Sequence, residues 1–171
     1  CVLLYRAYRA ISDGQFDGLP ALPKTYRKLL SLTGNSLVSV DARKAHYSNL
    51  WKKEHLVVLH DPATHAAAID LESKFTEAAL GTVQIADYRN FAHGRHHWLA
   101  KHGETSAVLA ISSEAYRDIA RKTLALLPND IQSAHVAIGS SGPLACLCAL
   151  TEVLHIAGSA GDSRGIDPGR P

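Results

Sequence analysis

Three side chains stand at a spacing that suits general acid/base chemistry. Lys74 and Glu77 are three residues apart in a segment with helical periodicity, so they share one face near the end of that helix. His93, followed by Gly94, comes sixteen residues after Glu77. A carboxylate and an imidazole form a general acid/base pair, in which one group moves a carbon-bound proton and the other assists at an oxygen. The alternative is structural, because Lys and Glu at this spacing usually form an ion pair on a helix surface.

A second group of candidates consists of serines that follow predicted strands and open predicted helices. These are Ser112, Ser113, Ser140 and Ser141. In a parallel sheet such loops lie at the carboxyl ends of the strands, where ligands bind. Because free amides and the helix dipole favour anions at a helix N-terminus, these serines are candidates for binding a phosphate. The alternative is that they are ordinary N-caps.

The loops after the first two predicted strands, residues 60–65 and 86–95, carry further polar side chains. Arg89 and Asn90 belong to the second loop and are candidate ligand-binding residues. His60 and His65 flank Asp61 in the first loop. They could line a site, but we interpret both histidines as structural.

Four histidines lie within ten residues, at positions 93, 96, 97 and 102. Their spacing lacks the Glu general base of a helical two-His zinc motif, and no cysteine is near. We therefore predict a solvent-facing polar helix with one functional histidine, His93, and neither a metal nor a cofactor.

Strands alternate with helices along most of the chain. Continuous apolar runs at 56–59 and 107–111 indicate strands buried on both faces, and further strands are predicted at 82–85 and 135–138. Helices are predicted at 62–80, 112–127 and 143–156, with a loose tail from Gly158 onward. This alternation predicts an α/β fold with three layers, in which helices flank a parallel sheet on both sides.

The composition excludes several classes of protein and partner. With 171 residues, 46% apolar and 20% charged, the chain resembles an ordinary globular domain. Eighteen basic and sixteen acidic residues give a charge of +2, too balanced for nucleic acid as the expected partner. No segment reaches the ~18 apolar residues of a membrane span, so we expect no membrane. Three cysteines form no closed disulfide framework, which favours the cytoplasm.

The first 34 residues differ from the rest in composition. An apolar helical pattern covers residues 1–11, and glycines and prolines then mark a linker that ends before a short helix at 24–32. The chain has no methionine and begins with Cys1. We therefore interpret residues 1–34 as the edge and linker of a preceding half, and residues 35–171 as the α/β domain with an extended tail.

The order of these motifs and elements resembles a known family. A strand, a helix ending in Lys74-Phe75-Thr76-Glu77, a second strand and then His93-Gly94 occur in the second half of the sugar isomerase (SIS) family, as in the isomerase portion of glucosamine-6-phosphate synthase. The elements that follow keep the family's order, and residues 165–171 are similar to its C-terminal segment. The resemblance covers residues 55–171 and implies a flavodoxin-like, Rossmann-like SIS subdomain.

The resemblance implies roles for the three residues considered first. Glu77 would be the base that carries a proton between C1 and C2 of a sugar phosphate. His93 would assist ring opening in the site of a neighbouring subunit, which implies a homodimer or higher oligomer, and Lys74 would be a supporting charge. The sequence departs from the family where Arg95 replaces a proline, and where Arg89-Asn90-Phe91 replaces an acidic lead-in to the histidine.

Two functions follow from the resemblance. In the first, the chain is the C-terminal half of a phosphosugar isomerase and is inactive alone, because Asp61-Pro62-Ala63-Thr64 stands where a Ser/Thr-rich phosphate loop would follow the first strand. In the second, it is a sensor or regulatory domain that binds a sugar phosphate or nucleotide sugar without turnover. A dimerisation module is a third alternative.

Overall fold

Four parallel strands form a single sheet in the computed structural model, which describes residues 40–168. The strands are β1 (His55–His60), β2 (Thr82–Asp87), β3 (Ser106–Ser112) and β4 (Gln132–Ala137). Their order is β2-β1-β3-β4, and each neighbouring pair is parallel. Every residue of β3 is buried, as its continuous apolar run predicted. The predicted α/β class is therefore confirmed.

Helices cover both faces of the sheet. They are α1 (Val40–Tyr47), α2 (His65–Glu77), the short α3 (Tyr88–Asn90), α4 (His97–His102), α5 (Arg117–Ala125) and α6 (Gly142–Arg164). A π-helical turn, Phe91–Arg95, joins α3 to α4. Single 3-10 turns lie at Leu50–Lys52, Gly103–Thr105 and Glu114–Tyr116.

Alternate residues of each central strand point into two separate hydrophobic cores. One core packs α1, α2 and α6 against one face of the sheet, with Val58 and Leu109 among its buried strand residues. The other packs the segment from α3 to α5 against the opposite face, with Leu59 and Val108. Because side chains alternate along a strand, two cores on a fully covered sheet make three layers.

The last helix is longer than the sequence predicted. We expected a helix to about Ile156 and a loose tail from Gly158, but α6 continues through Gly158 and Gly161 to Arg164. It ends at Gly165, whose φ of 67° is the left-handed conformation that commonly terminates helices. Tertiary packing thus overrides the low helix propensity of the two glycines, since Ala157, Ser159 and Ala160 are buried there.

Helix α6 is also an exception to the expectation that no segment is long and apolar enough to cross a membrane. Among the described residues it alone satisfies that criterion of length and composition. Two thirds of its most apolar stretch is buried inside the protein, and it contacts α1 and α2. We therefore describe it as the central helix of the larger core.

Two glycines of α6 should respond in opposite ways to a methyl group. A Cβ at Gly161 would lie 2.5 Å from the Ile166 carbonyl oxygen and 2.7 Å from Pro168 Cδ, whereas a Cβ at Gly158 would meet nothing within 4 Å. We expect Gly161→Ala to lower the free energy of unfolding by about 1–3 kcal/mol through overpacking. The matched variant Gly158→Ala should raise it by up to about 1 kcal/mol, because alanine is the better helix former. Urea denaturation measures both, and equal effects would contradict the packing around Gly161.

Several predictions lie outside the described residues. They concern the apolar helix at 1–11, the linker, the helix at 24–32 and the last residues of the C-terminal segment. The division into residues 1–34 and 35–171 therefore stays a prediction.

Candidate functional site

The candidate residues fall at two opposite edges of the sheet. Helix α2 starts after the carboxyl end of β1 and runs back toward the amino end of β2, so Glu77 lies at the amino edge. His93 follows the carboxyl end of β2. A six-residue strand spans about 17–20 Å, which separates the two edges. One chain therefore does not bring Glu77 and His93 together.

At the amino edge, the Glu77 carboxylate is exposed. Its Oε1 accepts a hydrogen bond from Ser73 Oγ at 2.9 Å. Lys74 Nζ does not pair with Glu77 but forms an ion pair with Asp70 Oδ1 at 2.8 Å. Lys74 and Glu77 also line a cleft of about 280 Å³, whose other wall includes Leu154. The surface ion pair between Lys74 and Glu77, which the spacing allowed, is thus absent from the structure.

At the carboxyl edge, His93 is exposed on the π-helical turn. The turn is held to the sheet by the buried ring of Phe91 beside it. His96 and His97 are exposed as well, with their ring centroids 4.4 Å apart. Within residues 40–168, no three His, Cys, Asp or Glu side chains come together in a way that could hold a metal ion. The histidine-rich segment is therefore a solvent-facing surface from which His93 can reach another molecule.

A larger cleft of about 500 Å³ opens at the same edge, where the loops after β1 and β2 meet. It lies beside the carboxyl end of β1, with β2 on one side of that strand and β3 on the other. Ligands of such sheets usually bind where the strand order reverses in this way. Its polar lining includes His60, Asp61, His65, Arg89, Asn90 and Arg95. The predicted ligand-binding residues Arg89 and Asn90 are therefore brought together here. From the sequence we interpreted His60 and His65 as structural and did not name Arg95 as a ligand-binding residue. The position of all three in loops at strand ends could have indicated that they line a cleft.

Asp61 ties the two central strands together beneath this cleft. Its side chain is buried and accepts hydrogen bonds from the amides of Ala63 at 2.8 Å, Thr64 at 3.2 Å and Ser113 at 2.6 Å. A carboxylate of the protein itself thus occupies the anion position next to the start of α2 and the end of β3. The bonds also fix the loop that follows β1.

The four candidate serines lie at the ends of β3 and β4, in adjoining loops. Ser112 and Ser113 are buried, and Ser112 Oγ lies 2.8 Å from His135 Nε2. The Ser140 carbonyl accepts a hydrogen bond from the Glu114 amide at 2.9 Å, which joins the two loops. Ser113 and Ser141 occupy N-cap positions, but neither side chain makes a capping hydrogen bond. The alternative role as side-chain N-caps is thus not realised at these two positions.

Three half-buried or buried histidines make the fold sensitive to acid. Burial lowers the pKa of the His60, His135 and His155 imidazoles. A lowered pKa means that the unfolded chain binds protons more readily than the folded one. We therefore expect the free energy of unfolding to fall as the pH decreases below about 6.5. In urea denaturation at several pH values, His135→Gln should make this fall smaller, whereas His46→Gln, which changes an exposed histidine, should not.

Comparisons with known proteins show which solved structures share this fold. No family model and no curated protein matches the sequence. Among solved structures, the C-terminal domain of glucosamine-fructose-6-phosphate aminotransferase from Francisella tularensis superposes with a TM-score of 0.54 at 11% identity. The chain shares the α/β fold of that domain. The match covers 85% of this chain and 45% of that one, so the chain spans less than half of its length.

A second solved structure is similar over nearly the whole chain. It is a protein from Bacteroides fragilis NCTC 9343 assigned as a phosphosugar isomerase involved in capsule formation. Its TM-score is 0.53 at 12% identity, and the match covers 96% of this chain and 89% of that one. At these identities the two likenesses establish the fold alone.

Proposed function

We propose that this chain is a phosphosugar-binding SIS domain that forms the C-terminal half of a sugar-phosphate isomerase. The observation that carries the proposal is the state of Glu77, an exposed carboxylate that lines a cleft and is free of its neighbour Lys74. It ends α2 at the position where the resembled family has its base. Both similar structures bear names that concern sugar phosphates, which supports the same class of ligand.

In this mechanism Glu77 transfers one proton between neighbouring carbons. The carboxylate removes the proton from C2 of the open-chain aldose, and the electron pair of the broken C–H bond forms the double bond of an enediol. The same proton returns to C1, while the hydroxyl proton of O2 leaves and O1 gains one. C2 is thereby oxidised and C1 reduced, so no external oxidant or reductant is needed. Lys74 would stabilise the oxygen on which charge develops.

The site requires a second copy of the chain. Glu77 and His93 lie at opposite edges of the sheet, so a single chain cannot place both on one sugar. We propose that His93 of one protomer opens the sugar ring in the site that contains Glu77 of its partner, in a homodimer or larger oligomer. The exposure of His93 on a protruding turn supports this arrangement.

The sugar's phosphate would be held mainly by another part of the protein. The loop after β1 contains Asp61, whose carboxylate already fills the anion position there. We therefore assign the main phosphate contacts to a Ser/Thr-rich loop of a preceding half. The chain by itself should bind weakly and should not turn over.

A sensor that binds a sugar phosphate or nucleotide sugar without turnover is the second candidate. One observation favours it: Lys74 is held by Asp70 and is not directed to Glu77. In a sensor, Glu77 and His93 would bind hydroxyl groups of the ligand and no C–H bond would break.

A thermal-shift screen of the full-length protein against sugar phosphates and nucleotide sugars, combined with an assay of aldose–ketose interconversion, tests the proposal. We expect a phosphorylated sugar to raise Tm and to be interconverted, and the same sugar without phosphate to do neither. A rise in Tm with no turnover would establish the sensor. If no sugar phosphate raises Tm or reacts, and no nucleotide sugar raises Tm, both candidates are wrong.

A further inference from the structure

The cleft at the carboxyl edge, lined by the loops after β1 and β2, carries acidic and basic side chains in equal number, but only the acidic ones are fully engaged by hydrogen bonds within the protein. Two carboxylates and two guanidiniums line it. Asp61 already accepts three amide hydrogen bonds. Asp87 accepts one hydrogen bond from the backbone amide of Asn90 at 2.7 Å and another from the side-chain amide of Asn90. These bonds hold the pKa of Asp87 below its ordinary value. Both carboxylates are therefore engaged by the protein.

The two guanidiniums are not engaged in the same way. Arg95 donates to the carbonyl oxygen of Ile85 at 3.2 Å, which positions it over the end of β2. Arg89 is exposed and forms no ion pair with any of residues 40–168. A planar guanidinium offers two parallel donors that match an oxyanion. Arg89 thus supplies a cation at the mouth of a cleft whose own acids are already satisfied.

A stacked pair of imidazoles forms part of the wall. The rings of His60 and His65 have centroids 4.5 Å apart and planes inclined by 22°. His60 Nδ1 lies 3.2 Å from the carbonyl oxygen of Asp61, and because a carbonyl only accepts, Nδ1 carries a proton. In the neutral ring, Nε2 is then the nitrogen without a proton. A proton added to His60 goes to Nε2 and makes it a second charged donor.

We propose that this cleft binds the oxyanion group of a small ligand, of the phosphate or phosphate-monoester class, through Arg89 and Arg95 with His60 as a proton-dependent donor. Its volume of about 500 Å³ lies in the range of small-molecule sites and accommodates a sugar phosphate. The site is separate from Glu77, which lies at the other edge of the sheet. It therefore does not rest on the proposed isomerase function.

Binding should be linked to protons. Burial lowers the pKa of His60, and the neighbouring His65 lowers it further, so the ring is largely neutral near pH 7. The other charged groups facing His60 are Asp61 and Asp87, which favour its cation, and the two arginines, which oppose it. An oxyanion in the cleft would raise the pKa of His60. Affinity should consequently increase as the pH falls below about 6.5.

An NMR titration of the 171-residue chain with sulfate, inorganic phosphate and a phosphate monoester, at constant ionic strength, tests the site. Sulfate keeps its charge over this pH range, so its pH dependence reports on the protein alone. We expect shifts centred on residues 60–65 and 86–95, and binding about tenfold weaker in Arg89→Gln. Arg121→Gln, which removes the same charge from the exposed face of α5, should bind as the parent does. Equal losses in both variants would show a diffuse charge effect and overturn the site.

Two further variants separate the parts of the proposal. His60→Asn keeps an amide donor for the Asp61 carbonyl oxygen but has no nitrogen at the place of Nε2, so the increase of sulfate affinity at low pH should disappear. Unchanged pH dependence would remove His60 from the site. Glu77→Gln should leave oxyanion affinity unchanged, and a loss would show that the cleft belongs to a composite isomerase site. Tighter binding of the monoester than of inorganic phosphate identifies an ester ligand, and the reverse identifies free phosphate.

Discussion

Replacing Glu77 by Gln should lower aldose–ketose interconversion by the full-length protein by about 10²–10⁴-fold, the usual contribution of a general base. Gln keeps the size and the hydrogen-bonding capacity toward Ser73, so the fold and the ligand-induced rise in Tm should persist. Glu72→Gln is the matched control, because it makes the same change on the same helix, where Glu72 accepts a hydrogen bond from Thr76 Oγ1. Its turnover should equal that of the parent. Full activity in Glu77→Gln would refute the isomerase.

Mixing two inactive variants tests the shared site more sharply. Because Glu77 and His93 lie at opposite edges, the proposal takes them from different protomers. Random exchange of Glu77→Gln and His93→Asn protomers makes about half of the dimers mixed, and each mixed dimer has one site with both residues intact and one with neither. About a quarter of the parent activity should then return. No recovery, despite exchange shown by mass spectrometry, would place both residues in the same chain's site.

The separation of these two residues could be deduced from the order of elements alone. A helix that follows one parallel strand and precedes the next must run back along the sheet, so a residue near its end lies opposite a residue after the next strand. Glu77 and His93 are such residues. The buried strands could also be predicted from the sequence, because continuous apolar runs such as residues 107–111 indicate that helices cover both faces of the sheet.

Other features depend on contacts between distant parts of the chain. The length of α6 follows from the packing of its small residues, which local glycine propensity opposes. The bond from the Ser113 amide to Asp61 joins residues 52 positions apart, and it decides that the anion position is filled by the protein. Sequence spacing alone could not show that Lys74 pairs with Asp70, one turn earlier, and not with Glu77, because both acids lie within reach on the helix surface.

The same limit applies to a buried ion pair that joins α1 to α6. Arg43 Nη2 lies 2.8 Å from Glu152 Oε1, and Arg43 Nε lies 3.3 Å from Oε2. Their side chains are 4% and 0% exposed, and they are 109 residues apart in sequence. Glu152 lies within an apolar stretch of α6, where its sequence context suggests no partner.

We expect Glu152→Ala to lower the free energy of unfolding by about 3–5 kcal/mol, because it leaves the Arg43 guanidinium buried without its counter-ion. Lys44→Ala provides the matched control. Lys44 Nζ pairs with Asp162 Oδ2 at 2.7 Å, and this ion pair also joins α1 to α6, but its side chains are 43% and 57% exposed. Because exposed pairs are screened by solvent, Lys44→Ala should lower the free energy of unfolding far less than Glu152→Ala does. Urea denaturation of both variants measures the difference.

The double variant Arg43→Met/Glu152→Leu distinguishes the lost attraction from the stranded charge. Two charges held out of water pay a desolvation cost that their attraction only partly offsets, so apolar residues of similar size can replace a buried pair at little or no cost. We therefore expect the double variant to recover most of the stability that Glu152→Ala loses. If it remained as unstable as Glu152→Ala, the pair would contribute through its own attraction and hydrogen bonds. The destabilisation could then not be assigned to an unpaired arginine.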